Sequence, residues 1–168
     1  MSQPSDNTRT AAKWMFYLTW IIALALGSYF FQLWYDKKHN PNSALSQHSA
    51  QVVLEQNSRG HYIAPGSING VDVTFLLDTG ATEVSIPASV AAKLALEVKG
   101  SSAVMTANGV IDVQNTLLQR VQLGGLEVRR VPAHINPHMP GDTVLLGMSF
   151  LGELAITQRK GTLTLSPP

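Results

Sequence analysis

Phe75-Leu76-Leu77-Asp78-Thr79-Gly80-Ala81 is an apolar run that ends abruptly on a carboxylate, a hydroxyl and a glycine. The pattern predicts that Leu76 and Leu77 close a buried strand. Asp78 then stands at the rim of a core, where a carboxylate is costly unless it has a partner or a task. Gly80 lets the backbone turn sharply and brings amide N–H groups toward that carboxylate, while Thr79 supplies a hydroxyl able to bond to a neighbouring loop or chain. The tripeptide alone reads first as a plain turn between strands; with the right flanks it reads as half of a two-carboxylate site.

Working outward, the flanks alternate with a period of two. A strand over His61–Ile68 meets Asn69-Gly70, a hairpin signal, and Val71, Val73 and Phe75 then alternate with Asp72 and Thr74 up to Leu77. Beyond Gly80, Thr82–Ile86 reads as a strand. Pro87 then opens a short helix to about Leu94, with Val90, Ala91 and Leu94 on one face. Ser102–Thr106 and Val110–Val113 flank Ala107-Asn108-Gly109, a second hairpin. A strand to Leu123 turns at Gly124-Gly125 and returns through Leu126–Ile135, and residues 136–142 form a loop. Val144-Leu145-Leu146-Gly147 is a second buried run, with one helical turn behind it at Met148–Leu151. Strands near Leu154–Gln158 and Thr162–Leu165 follow. One small, mostly β domain is expected over residues 58–168.

Toward the N-terminus the character changes. After a polar tail, 1–13, no charged residue occurs from Trp14 to Tyr35, and a helix of that length, roughly 33 Å, suffices to cross a hydrocarbon core of about 30 Å. Trp14, Tyr17 and Trp20 at one end and Trp34 and Tyr35 at the other suit the two interfaces. Asp36-Lys37-Lys38-His39, rather than a small-residue cleavage site, follows the apolar stretch, so a retained transmembrane helix over 14–35 is expected. Lys and Arg are nearly balanced across it; export of the larger C-terminal part is the simpler insertion route. Residues 36–57, rich in Asn, Ser and Gln, read as a polar tether.

The 168 residues are 45% hydrophobic and 14% charged with a net charge of +1, which gives no nucleic-acid footprint. The absence of cysteine excludes disulfides, a thiol nucleophile and thiolate metal sites. His134 and His138 are four apart, but Pro137 and Pro140 argue for solvated loop histidines, and neither a metal nor a cofactor is expected.

The order of these elements, over roughly His61 to Leu165, resembles the retropepsin-like (clan AA) aspartic proteases, in particular the membrane-anchored bacterial ones. The resemblance rests on Leu76-Leu77-Asp78-Thr79-Gly80-Ala81, the Gly-containing hairpin at Thr106–Gly109, and Leu145-Leu146-Gly147. It implies a mostly β, single-lobe acid protease fold behind one transmembrane helix, an aspartic endopeptidase, and a polypeptide substrate. It also implies a single-pass protein of a bacterial inner membrane, and the simpler insertion route then puts the protease domain on the periplasmic side.

Peptide hydrolysis by two carboxylates sharing a proton needs a base for water and an acid for the carbonyl oxygen and leaving amine. The chain has one such loop, so the resemblance implies a C2 homodimer that pairs Asp78 with Asp78 of a second copy. It further implies that Thr79 bonds across to the other loop and that the Gly80 amide orients the carboxylate. Leu145, Leu146 and Gly147 would support the site by packing. Thr106, Ala107, Asn108 and Gly109 would form a flap over an extended peptide. Ala81, where pepsin-type enzymes carry Ser or Thr, cannot donate a hydrogen bond to the carboxylate, which predicts activity at weakly acidic to near-neutral pH. Ser166-Pro167-Pro168 departs from the apolar terminal strand of the viral dimers, leaving Leu163 and Leu165 as candidates for that contact. A tethered peptide-binding dimer that has lost hydrolysis is the alternative reading.

Overall fold

The computed structural model describes residues 6–46, 49–106 and 109–168, and divides the chain into two units, residues 1–38 and 39–168. The first unit holds most of one long helix, α1 (Asp6–His39). Its segment Lys13–Tyr35 is long and apolar enough to cross a membrane, and its large side chains, from Trp14 to Tyr35, are exposed. α1 runs further than the expected span at both ends, into stretches read as tail and tether.

The second unit is mostly β. Its strands are β1 (Val52–Glu55), β2 (Ile63–Ile68), β3 (Val71–Leu77), β4 (Val84–Pro87), β5 (Gly100–Thr106), β6 (Gly109–Leu123), β7 (Leu126–Asn136), β8 (Thr143–Leu146), β9 (Ala155–Arg159) and β10 (Thr162–Ser166). Two short helices, α2 (Ala88–Lys93) and α3 (Met148–Leu151), interrupt them. The mostly β reading of the sequence thus holds through nearly the whole unit. At the first hairpin, Asn69 (φ 52°) and Gly70 (φ 85°) adopt the left-handed pair that a two-residue turn between twisted strands demands.

A seven-stranded sheet has the order β2-β3-β8-β4-β7-β6-β5, and β2 also pairs with β6 through Ser67↔Gln122 and Ile68↔Val121, so the sheet curls back on itself. Strand β8 lies between β3 and β4, parallel to the former and antiparallel to the latter. The loop from β3 to β4, which carries Asp78, must therefore pass over the end of β8. The core beneath is built from Ile68, Phe75, Val84, Ile86, Leu118, Leu146, Phe150 and Leu151, all fully buried. Leu76 and Leu77 are half-buried; Phe75 is the residue of that run that enters the core.

The expected tether is corrected. Val52 and Leu54 enter the core, and β1 joins β10 and β9 in a three-stranded sheet, with Val52↔Leu165 and Leu54↔Leu163 in register. Asn42, itself buried, holds the outer side of β1: its side-chain amide donates to the Glu55 carbonyl (2.9 Å) and accepts from the Glu55 N–H (2.8 Å). A second correction follows from the same sheet. Leu163 and Leu165 are buried within their own chain and are not available to a second copy; all five side chains of β9, the free edge, are exposed.

Candidate active site

Asp78 follows directly on β3, whose last residues pair with β8 as Leu76↔Leu145 and Leu77↔Leu146. Its backbone N–H continues that ladder by donating to the Leu146 carbonyl (3.2 Å). The chain then turns: the Ala81 N–H donates to the Asp78 carbonyl (3.2 Å), and the Gly80 N–H donates to Asp78 Oδ1 (2.9 Å). An amide aimed at a carboxylate oxygen fixes its rotamer. Asp78 is half-buried, whereas Thr79 and Gly80 are exposed.

The far side of the loop is held by α3. Met148 N–H donates to the Ala81 carbonyl (2.8 Å) and Ser149 N–H to the Thr82 carbonyl (2.9 Å). The Ser149 hydroxyl accepts from the Val84 N–H (3.1 Å) and donates to the Pro132 carbonyl (2.8 Å), tying loop, helix and β7 together. Gly147 is buried where this backbone passes: a Cβ there would lie 2.3 Å from the Glu83 carbonyl oxygen and 2.7 Å from that of Ala81. The Leu145-Leu146-Gly147 run and the Asp78 loop, far apart in sequence, are thus one braced unit. Ser149, which the sequence marks only as part of a helical turn, is its unforeseen member.

The hairpin of β5 and β6 stays in register to Thr106↔Gly109, where the Thr106 hydroxyl donates to the Gly109 carbonyl (2.8 Å). Ala107 and Asn108 lie outside the described residues. Met105 and Val110, paired just before the tip, are 86% and 64% exposed, an apolar pair that a soluble hairpin with nothing to cover has little reason to display.

His134 is a strand residue on β7 rather than a solvated loop residue; its side chain is 12% exposed and stands 3.6 Å from the Glu83 carboxylate. Among the described residues no group of three or more His, Cys, Asp or Glu side chains could hold a metal ion. A cavity of about 530 Å³ lies elsewhere, lined by residues including Ser43, Thr74, Lys93 and Asp142, and no residue of the Asp78 loop belongs to it. In a single chain the Asp78 loop borders open solvent.

Comparison with known proteins agrees with this geometry. Residues 64–153, over half of the chain, match the family model described as "gag-polyprotein putative aspartyl protease". An uncharacterized Sinorhizobium protein is 31% identical over 118 residues, covering 68% of this chain and 51% of its own length. An uncharacterized protein of Rickettsia prowazekii is 27% identical over 114 residues, covering 66% and 48%. The chain therefore spans about half the length of these curated relatives. Among solved structures, the crystal structure of a retropepsin-like aspartic protease from Rickettsia conorii matches with a TM-score of 0.60 and 27% identity, covering 68% of this chain and 89% of that one. With the Asp78 loop, its bracing run and the fold all in agreement, the chain belongs to the gag-type aspartyl protease family and has its retropepsin-like fold.

Proposed function

We propose that the protein is an aspartic endopeptidase that acts as a C2 homodimer, with Asp78 of each copy forming the catalytic pair. The observation that carries this reading is a single Asp-Thr-Gly loop, braced from behind by β8 and α3 and exposed on its other side at Thr79 and Gly80. Water attacks the scissile carbonyl carbon and gives a proton to one carboxylate, while the proton of the other passes to the carbonyl oxygen. Collapse of the resulting diol transfers a proton to the amine nitrogen, breaks the C–N bond and releases an acid and an amine. Thr79 bonds to the partner loop, and the Gly80 amide holds the carboxylate in line. The hairpin that brings Thr106 and Gly109 together closes over the peptide.

α1 anchors the enzyme in a membrane as a single-pass protein, with the protease unit on the periplasmic side of a bacterial inner membrane. Confinement to one plane raises the concentration each copy meets, which favours pairing even of a weak dimer. The unpaired edge of β9 is a surface on which two copies can meet.

The test is the dependence of rate on concentration. Full-length chain in detergent, diluted through its dissociation range, is expected to lose activity per chain as monomer accumulates. Constant activity per chain at dilutions where sizing shows only monomer would exclude the shared site.

Ala81 provides a second measurement. A hydroxyl at this position would donate a hydrogen bond to the ionised pair and favour it, so Ala81→Ser is expected to move both limbs of the pH profile of kcat/KM to lower pH. A hydrogen bond to a charged group is worth about 1.5–3 kcal/mol before screening, so the shift should be about half to one pH unit. An unchanged profile in a folded, active variant would mean that residue 81 does not face the carboxylates.

A further inference from the structure

Beside the Asp78 loop, the sheet face turned away from the core carries polar groups that the proposed hydrolysis does not use. Residues paired across a sheet share a face. The registers Leu76↔Leu145, Leu145↔Ser85, Ser85↔His134 and His134↔Asn115 therefore trace one continuous row, from the strand that delivers Asp78 to the strand β6 of the flap hairpin. The intervening residues Phe75, Leu146, Val84, Ile86, Ala133 and Ile135 all enter the core.

The row begins apolar and ends polar. Ser85 is buried, with its hydroxyl 3.8 Å from the Met139 sulfur, and His134 keeps a buried Nδ1 with no hydrogen-bond partner. Glu83 reaches this row from the loop itself, five residues beyond Asp78. Its Oε2 lies 3.6 Å from His134 Nδ1, beyond hydrogen-bonding distance, and its side chain is 40% exposed. Among the described residues no donor bonds this carboxylate. Its backbone is nonetheless fixed, because it passes against buried Gly147. A half-exposed carboxylate without a hydrogen-bond donor, on the loop that carries Asp78, is the chemistry that binds a cation.

Resting on the peptidase reading above, we propose that Glu83 selects a lysine or arginine side chain of the bound peptide near the scissile bond. The ammonium or guanidinium pairs with the carboxylate, the aliphatic stem lies along the Leu76–Leu145 part of the row, and an acidic side chain is repelled.

The experiment uses full-length chain in detergent. A peptide library locates the preferred position, and matched peptides carrying lysine or norleucine there are then compared. Because the pair is partly solvated, the kcat/KM ratio of lysine to norleucine peptide should be about tenfold. Glu83→Gln should bring the ratio to near one, Glu83→Asp should keep part of it, and Glu83→Lys should favour a glutamate-bearing peptide. Equal cleavage of both peptides by the wild type, or a ratio that Glu83→Gln leaves unchanged because both rates fall together, overturns the proposal. Peptide binding to full-length Asp78→Asn, read by fluorescence anisotropy, separates the two claims. Lysine selectivity that appears there and disappears on adding Glu83→Gln upholds the proposal even if the wild type hydrolyses nothing. Absence of that selectivity in binding overturns it whether or not the wild type is a peptidase.

Discussion

Hydrolysis is expected to disappear in the Asp78→Asn chain while the fold survives. The asparagine side chain has the same shape, and its carbonyl oxygen can still accept the Gly80 N–H that Asp78 Oδ1 accepts at 2.9 Å. Lost instead are the proton acceptor for water and the proton donor for the carbonyl oxygen. In the proposed homodimer both halves of the pair are Asp78, so a single substitution removes them together. General acid and base catalysis each contribute about 100- to 10,000-fold, so kcat/KM should fall by at least about 10,000-fold, with the melting temperature nearly unchanged. Mixing wild-type and variant chains in equal amounts sharpens the test: random pairing leaves roughly one quarter of the dimers with two aspartates, and activity should fall to that fraction. A variant with appreciable turnover would remove Asp78 from the mechanism. Peptide binding without turnover in the wild type itself would instead identify a binding dimer that has lost hydrolysis.

Much of the fold could be read from alternation because strands such as β8 and β10 have one face in the core and one outside. Val144, Leu146, Leu163 and Leu165 are the buried members of such patterns, and the turn at Asn69-Gly70 fixes the register of the first pair. The reading failed where a signal was too short or had two meanings. Val52-Val53-Leu54 is three apolar residues in a polar stretch, too few to show a period, yet two of them fill the core under β10. Leu163 and Leu165 alternate correctly, but alternation cannot say whether the covering surface belongs to the same chain or to a second one. At the candidate site, Asp78 and Gly147 were marked by local chemistry. Ser149 and the Glu83–His134 approach were not, because they depend on which strands lie side by side, β8 between β3 and β4 and β4 beside β7, which no local pattern encodes.

The interlock of distant segments makes Gly147 a residue outside the Asp78 loop whose substitution should be costly. Its backbone (φ −88°, ψ −172°) is open to any residue, so the need for glycine is steric and not conformational. A methyl group at 147 would stand 2.3 Å from the Glu83 carbonyl oxygen and 2.7 Å from the Ala81 carbonyl oxygen. Neither obstacle is a flexible side-chain end; both are backbone of the loop that carries Asp78. Residues 81 and 82 are held in place by hydrogen bonds from Met148 and Ser149, so relief requires breaking one or both of these. Overpacking of a rigid buried contact costs about 3 kcal/mol, and for a unit of this size that corresponds to a fall in melting temperature on the order of 10 °C. Activity at temperatures where Gly147→Ala remains folded should fall as well, because the displaced loop carries the carboxylate with it. A Gly147→Ala chain with wild-type melting temperature and wild-type kcat/KM would show that the 81–83 backbone does not lie against residue 147, and the bracing of Asp78 from behind would have to be abandoned.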